Sequence, residues 1–257
     1  MNPPGGSPAT NVLLFGASNL TIGWKPLMQQ LLRTVDRPVN VHACLGMGRS
    51  WLKRSRYMAR TLPAILDCGL WNNLPAPQAE DRVLITDIGN DIVYQYRPVQ
   101  IRQAIDETLQ RIRQWNPLAR ISMTLPPLVS LQRLHPLHFR IARTLLFPTS
   151  QLKFSDVLSS ATQLHDLLQE LEGMDNLQLI HPRRQWYGAD PIHVLRSMRA
   201  EAFQTYFNGW GDVGGAQNTV AAVAVPLPRA AERTVFGRDV RTAQPVFRTA
   251  TMAVSAW

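Results

Sequence analysis

The sequence predicts an α/β fold: a three-layer α/β/α sandwich around a mostly parallel, five-stranded sheet. Three observations carry this expectation. Five short runs rich in Val, Ile and Leu lack strict alternation, as strands buried on both faces do. Segments with apolar residues at helical spacing lie between those runs. The strand–helix order repeats along the chain, which calls for a parallel sheet covered on both faces. The chain has 257 residues, 45% of them hydrophobic and 18% charged. That is long enough for a full core, and it excludes a mostly disordered chain, a collagen-like repeat and a coiled coil.

The elements follow in order. Residues 1–10 are rich in Pro and Gly and are expected to be a flexible leading segment. The first strand is Val12 to Phe15. That apolar run is too short for a signal-peptide core, so a cytoplasmic protein is expected. A helix from about Pro26 to Thr34 follows, with Pro26 suited to its first turn. The second, third, fourth and fifth strands are Val39–Leu45, Arg82–Ile88, Arg120–Leu125 and Leu177–His181. Ile101, Ile105, Leu109 and Ile112 mark one intervening helix. Leu158, Ala161, Leu164, Leu168 and Leu171 mark another. A last helix is expected over about Leu195–Tyr206, which gives one domain over 11–207. Residues 208–257 change to a Gly/Ala/Val/Pro-rich and then Arg/Thr-rich composition without a helical period. They are expected to be a poorly ordered or loosely packed extension, with short extended pieces such as Thr234–Phe236. No run of apolar residues is long enough to cross a membrane. Two cysteines, Cys44 and Cys68, cannot make a disulfide framework.

In a parallel sheet of this kind functional residues gather beyond the carboxyl ends of the strands. Four groups of interest fall there. The first strand runs into Gly16-Ala17-Ser18-Asn19-Leu20. Ser18 can cap the following helix, or offer its hydroxyl as a nucleophile beside the free amides of a helix start. The second strand runs into Leu45-Gly46-Met47-Gly48-Arg49-Ser50, where the glycines suit a tight turn or a close backbone approach to a ligand. Neither phosphate-loop nor dinucleotide spacing is present. The third strand ends in Gly89-Asn90-Asp91, and the Asn90 amide can donate to an oxyanion. After the fifth strand comes Asp190-Pro191-Ile192-His193, in which a carboxylate three residues before a histidine can reach its Nδ1 and leave Nε2 as a base. The other histidines show no metal-ligand spacing.

The four blocks, in this order and at these strand ends, resemble those of the SGNH hydrolases, the GDSL-type esterase/lipase superfamily. Gly16-Ala17-Ser18 resembles the first block, Gly48 the second, Gly89-Asn90-Asp91 the third and Asp190-x-x-His193 the fourth. The resemblance implies a flavodoxin-like fold and a carboxylic ester hydrolase. It implies Ser18 as nucleophile, His193 as general base and then acid, and Asp190 as the group that orients it. It implies an oxyanion hole of the Ser18 and Gly48 amides and the Asn90 side chain, with no cofactor and no metal. Two departures stand out. Ala17 replaces the usual Asp of Gly-Asp-Ser, and either Gly46 or Gly48 could supply the second donor. Gly48 is favoured because the following Arg49-Ser50 resembles the polar pair usual there.

Lys plus Arg number 27 against 18 Asp plus Glu, a net charge of +9. Arg49, Lys53, Arg54, Arg56 and Arg60 follow the second block without an acid among them. Arg49 and Trp51 are therefore expected to contact substrate, and a small-molecule ester with an anionic part is expected. No nucleic-acid motif accompanies the charge. An acyl or acetyl transferase on the same machinery, or a non-catalytic basic binding module, are the alternatives.

Overall fold

The computed structural model describes residues 9–36, 38–133, 153–210 and 224–257. Its centre is β1 (Thr10–Phe15), whose residues Val12 to Phe15 are fully buried. β2 (Val39–Cys44) flanks it on one side, and β5 (Arg82–Ile85), β6 (Arg120–Thr124) and β7 (Leu177–Ile180) follow on the other. All four pairings are parallel. The order β2-β1-β5-β6-β7 is the doubly wound, flavodoxin-like one. These are the five strands the sequence predicts. β1 ends at Phe15 as expected, and the other four end one to three residues earlier than their apolar runs, because the last residues of those runs turn out of the ladder.

β1 shows why the strand sequences are continuously apolar. Leu13 and Phe15 enter one core, with β5 residues Val83 and Ile85. Val12 and Leu14 enter the other, with Val39 and Val41 of β2. Period-two alternation therefore separates two cores, not core from water. The helices cover these faces. α1 (Ser18–Ile22) is a single short turn after β1. α2 (Trp24–Thr34) buries Trp24, Leu27, Met28, Leu31 and Leu32, the i, i+3, i+4 stripe of an amphipathic helix. α3 (Asn90–Val93) follows β5. α4 (Pro98–Trp115) buries Ile101, Ile105, Leu109 and Ile112, and Pro98 stands where a missing N–H costs nothing. α5 (Leu128–Leu131) is short; α6 (Phe154–Gln169) packs against α4, and α7 (Arg199–Phe207) packs against α2. α7 begins about four residues later than expected, because Leu195 is drawn into a turn by its bond to the Trp186 carbonyl.

The sheet has seven strands, not five, and the reason lies in residues 224–257. β11 (Met252–Ala256) adds to the outer side of β2 in parallel, with Val254 opposite Val41. β10 (Phe247–Arg248) folds back on it as an antiparallel edge. A second sheet is formed by β3 (Ser55–Tyr57), β4 (Arg60–Leu62), β8 (Glu232–Val235) and β9 (Arg238–Arg241), all antiparallel. The expectation of a loosely packed extension is corrected over this range. Met252, Val254 and Ala256 are buried, because they cover a β2 edge that would otherwise leave unpaired amides beside a core. Residues 1–8 of the expected leading segment 1–10, and 211–223 of the extension, lie outside the described residues, and Thr10 already belongs to β1. Among the described residues no helix is long and apolar enough to cross a membrane.

Candidate active site

All four sequence blocks sit where β1, β2, β5 and β7 give way to loops. Gly16 is a packing requirement: a Cβ there would lie 2.6 Å from Thr86 Cγ2 and 2.8 Å from Leu20 Cδ1. The chain turns directly into α1, with Ser18 as its first residue and largely buried. The amides on either side of Ser18 are both taken by one carboxylate. Asp87 Oδ2 accepts from Ala17 N at 2.8 Å and from Asn19 N at 3.1 Å. Among the described residues the Ser18 amide and hydroxyl have no protein partner, so the amide between two occupied neighbours is free to donate.

His193 and Asp190 are brought together: Nδ1 of the imidazole lies 2.6 Å from Asp190 Oδ2. The other carboxylate oxygen, Oδ1, accepts the amides of Ile192 at 3.0 Å and His193 at 3.2 Å, so the acid fixes its own loop. Ser130 Oγ of α5 pins the Pro191 carbonyl from outside. Burial opposes charging of His193, but the Asp190 hydrogen bond and charge, with Asp87 behind them, outweigh it and raise its pKa above 6.5; Arg199 opposes. Burial acts to raise Asp190, yet the His193 hydrogen bond and charge overcome it and hold the carboxyl below its ordinary value. The pair is thus biased toward imidazolium–carboxylate, the state an acid–base histidine reaches in mid-reaction.

Asn19 joins the two halves. Its Nδ2 donates to Asp87 Oδ1 at 2.6 Å and to the Ile192 carbonyl at 2.9 Å, and its Oδ1 accepts the Val194 amide at 2.9 Å. The residue after Ser18 therefore grips the backbone on both sides of His193, at Ile192 and Val194, 173 and 175 positions away along the chain. Sequence reading missed both Asn19 and Asp87. The available signals were an amide side chain directly after the serine and an acid directly after a buried strand. Asp87 also has φ +59°, a left-handed conformation that Asp tolerates better than most residues.

The second and third blocks meet as well. Gly48 has φ +62°, where a side chain would be strained, and its carbonyl accepts the Tyr94 hydroxyl at 2.6 Å. Asn90 Nδ2 donates to the carbonyl of Arg49 at 3.3 Å, which sets its amide beside the Gly48 loop. Asp91 is fully buried and clamps the same loop. It accepts the Ser50 hydroxyl through Oδ1 and the Trp51 amide at 2.9 Å through Oδ2. Burial raises its pKa, partly offset by these bonds.

Arg49 and Trp51 do not stand at the site as expected. Both have 0% relative exposure. Arg49 turns inward, donating to the carbonyls of Pro63 at 3.2 Å and of Trp257. Trp51 packs on Phe15, ring centres 6.1 Å apart. A guanidinium has five donors and must find carbonyls when buried, so its charge is spent holding loops rather than facing substrate. The anionic-substrate expectation then rests on Lys53, Arg54 and Arg56, which are exposed, and on the half-buried Arg60. Among the described residues no cluster of His, Cys, Asp and Glu could hold a metal ion. Cys44 and Cys68 are free, buried thiols 3.3 Å apart.

No protein-family model and no curated protein matches the sequence. Among solved structures the chain is similar to an inhibitor-bound aryl esterase of M. smegmatis. That match has a TM-score of 0.50 and 16% identity, covering 77% of this chain and 97% of that one. It is also similar to a carbohydrate acetylesterase family member from Sinorhizobium meliloti, at TM-score 0.49 and 16% identity, covering 78% and 94%. A third is a member of the lipolytic protein G-D-S-L family from Veillonella parvula DSM 2008, at TM-score 0.49 and 11% identity, covering 77% and 96%. At such identities the likeness is one of fold alone.

Proposed function

We propose that this chain is a serine hydrolase of carboxylic esters, working through an acyl-enzyme. The observation that carries the reading is a pair of links: Asp190 on His193 Nδ1 at 2.6 Å within the fourth block, and Asn19, beside Ser18, on the backbone flanking His193, which joins the first block to the fourth. A capping serine and a surface histidine have no need of such ties.

In this mechanism Ser18 Oγ attacks the ester carbonyl and His193 Nε2 takes its proton. Asp190 holds the tautomer and the charge that results. The oxyanion lies among the Ser18 amide, the Gly48 amide and Asn90 Nδ2, three donors set before the reaction begins. Collapse expels the alcohol, protonated by His193. Water, activated by the same base, then attacks the acyl carbonyl, and Ser18 leaves with its proton restored.

The test is hydrolysis of short-chain p-nitrophenyl esters by wild type and Ser18→Ala, with fluorophosphonate labelling read by peptide mass. The expected result is a loss of at least about a thousandfold in kcat for Ser18→Ala, with the label on Ser18 in wild type. Asn90→Ala should cost about 3 kcal/mol of transition-state stabilisation. Label on Ser18 without ester turnover would favour an acyl transferase awaiting its acceptor. Neither label nor turnover on folded protein would refute catalysis here.

A further inference from the structure

The four-stranded sheet presents an unusual end. The turn joining β3 to β4 and the turn joining β8 to β9 lie at the same edge, since Arg60 opposes both Tyr57 and Val235, and Val235 opposes Arg238. They are bonded to each other, Phe236 N donating to the Ala59 carbonyl at 2.9 Å. At their tips stand Met58 and Phe236, with relative exposures of 79% and 83%. Both occupy the left-handed region, at φ +54° and φ +49°. Two-residue hairpin loops ordinarily fill such positions with Gly, Asn or Asp, because other side chains are strained there. Here two adjacent hairpins each spend that position on a large apolar side chain aimed into solvent. Local folding preference explains neither.

Beside the tips stand the exposed bases Arg56 and Arg238, and exposed Arg54 and Arg241 lie at the far ends of the same two hairpins. The acids among them are Glu232, 4.0 Å from Arg241, and Asp239, which accepts the Thr234 hydroxyl. We propose that the paired tips form a docking site for an anionic lipid surface, Met58 and Phe236 entering the headgroup–acyl boundary while the arginines meet phosphate groups. The choice of occupant follows from shape and charge. A stable protein interface buries about 800 Å² on each partner, more than two protruding side chains supply. A bilayer accepts isolated apolar and aromatic tips, and its negative surface attracts a basic rim. The net charge of +9 adds long-range attraction. The sheet also buttresses the candidate site, since Leu62 of β4 fills the space above Gly46, and Ser55 Oγ of β3 accepts the Ser50 amide at 3.2 Å. Docking would therefore bring the Gly48 loop near the membrane, but the proposal does not require the hydrolase reading.

The experiment is flotation of the full chain with phosphatidylcholine vesicles, with or without phosphatidylglycerol, over a salt series. The decisive variant is Met58→Gly with Phe236→Asn, because each change relieves a left-handed residue and should leave the Tm unchanged or higher. Expected are binding that needs phosphatidylglycerol and weakens with salt, and a drop of about tenfold or more in the double variant. Arg238→Gln with Arg241→Gln should weaken binding further at low salt. Wild type that does not float, or a double variant that floats equally well, overturns the proposal. Equal binding to vesicles without phosphatidylglycerol overturns the anionic part. Wild type that self-associates without lipid, with the double variant monomeric, assigns the tips to a second copy instead. Ester hydrolysis is measured on the same samples, so loss of docking and loss of catalysis are read separately.

Discussion

Asp87 and Asp91 stand four residues apart where β5 meets α3, and each ties down one side of the candidate site. Asp91 is fully buried and holds the Gly48–Trp51 loop through the Ser50 hydroxyl and the Trp51 amide. Asp87 is half-buried and holds the turn around Ser18 through Ala17, Asn19 and, by way of Asn19, the His193 loop. One carboxylate is dry and serves a loop that must be rigid. The other is partly wet and lies close enough to lend its charge to His193. The difference teaches that positioning and electrostatic tuning can be divided between two identical side chains by burial alone. Position 17 carries no acid of its own, and Asp87 brings a carboxylate to the Ala17 amide from beyond the end of β5.

The comparison breaks most visibly at Asp91. Asp91→Ala leaves the buried Ser50 hydroxyl and the Trp51 amide without their acceptor, so about 3 kcal/mol of stability should go, with a fall in Tm of about 6–12 °C. Thermal unfolding followed by circular dichroism checks it. Asp87→Ala should do the reverse, lowering kcat by roughly a hundredfold through misplacement of Ser18 against His193, with a much smaller change in Tm. If activity in this variant fell only in step with stability, the distinction between the two acids would collapse.

Asp87→Asn sharpens the point. It retains an oxygen acceptor and removes the charge, so the acidic limb of kcat/KM should move to lower pH, still above the Asp190→Asn variant's. Asp190 and Asp87 raise His193 and Arg199 opposes them, so the wild-type limb should lie above 6.5. A pH–rate profile of the three proteins tests the order. The smallest effect concerns stability. The raised His193 stabilises the fold below 6.5 and loses that contribution as pH rises through its folded value. The depressed Asp190 stabilises above 3.8 and loses its contribution as pH falls through its folded value. The difference in Tm between wild type and His193→Gln should therefore be widest between about pH 4 and the His193 titration, and should narrow on either side.

Much of this was legible in the sequence, for physical reasons. β1, β2, β5, β6 and β7 are buried on both faces and need unbroken Val, Ile and Leu, which is a loud local signal. The contact of Asp190 with His193 was legible because a carboxylate three residues before a histidine can reach its Nδ1. β8 and β9 were quiet because Glu-Arg-Thr-Val and Arg-Asp-Val-Arg lie half in water and pair only with each other and with β4. β11 was quiet because Met-Ala-Val-Ser-Ala is short, and its partner lies more than 200 residues away. Arg49 and Trp51 were misplaced because a basic residue after a glycine turn reads as solvent-facing. Only the three-dimensional arrangement shows the carbonyls that draw it inward.

The late arrival of β11 has a consequence in time. On the ribosome the five central strands are synthesised long before residue 252 emerges. Throughout that interval the outer edge of β2 offers its unpaired amides and carbonyls to any passing strand, including another nascent copy. The Arg49 guanidinium likewise waits for the Trp257 carbonyl before the Gly48 loop behind it is fully anchored. A chain stalled near residue 250 would hold Ser18, Asp190 and His193 and yet lack the brace behind its Gly48 loop, so completion of the candidate site waits on translation of residues 252–257.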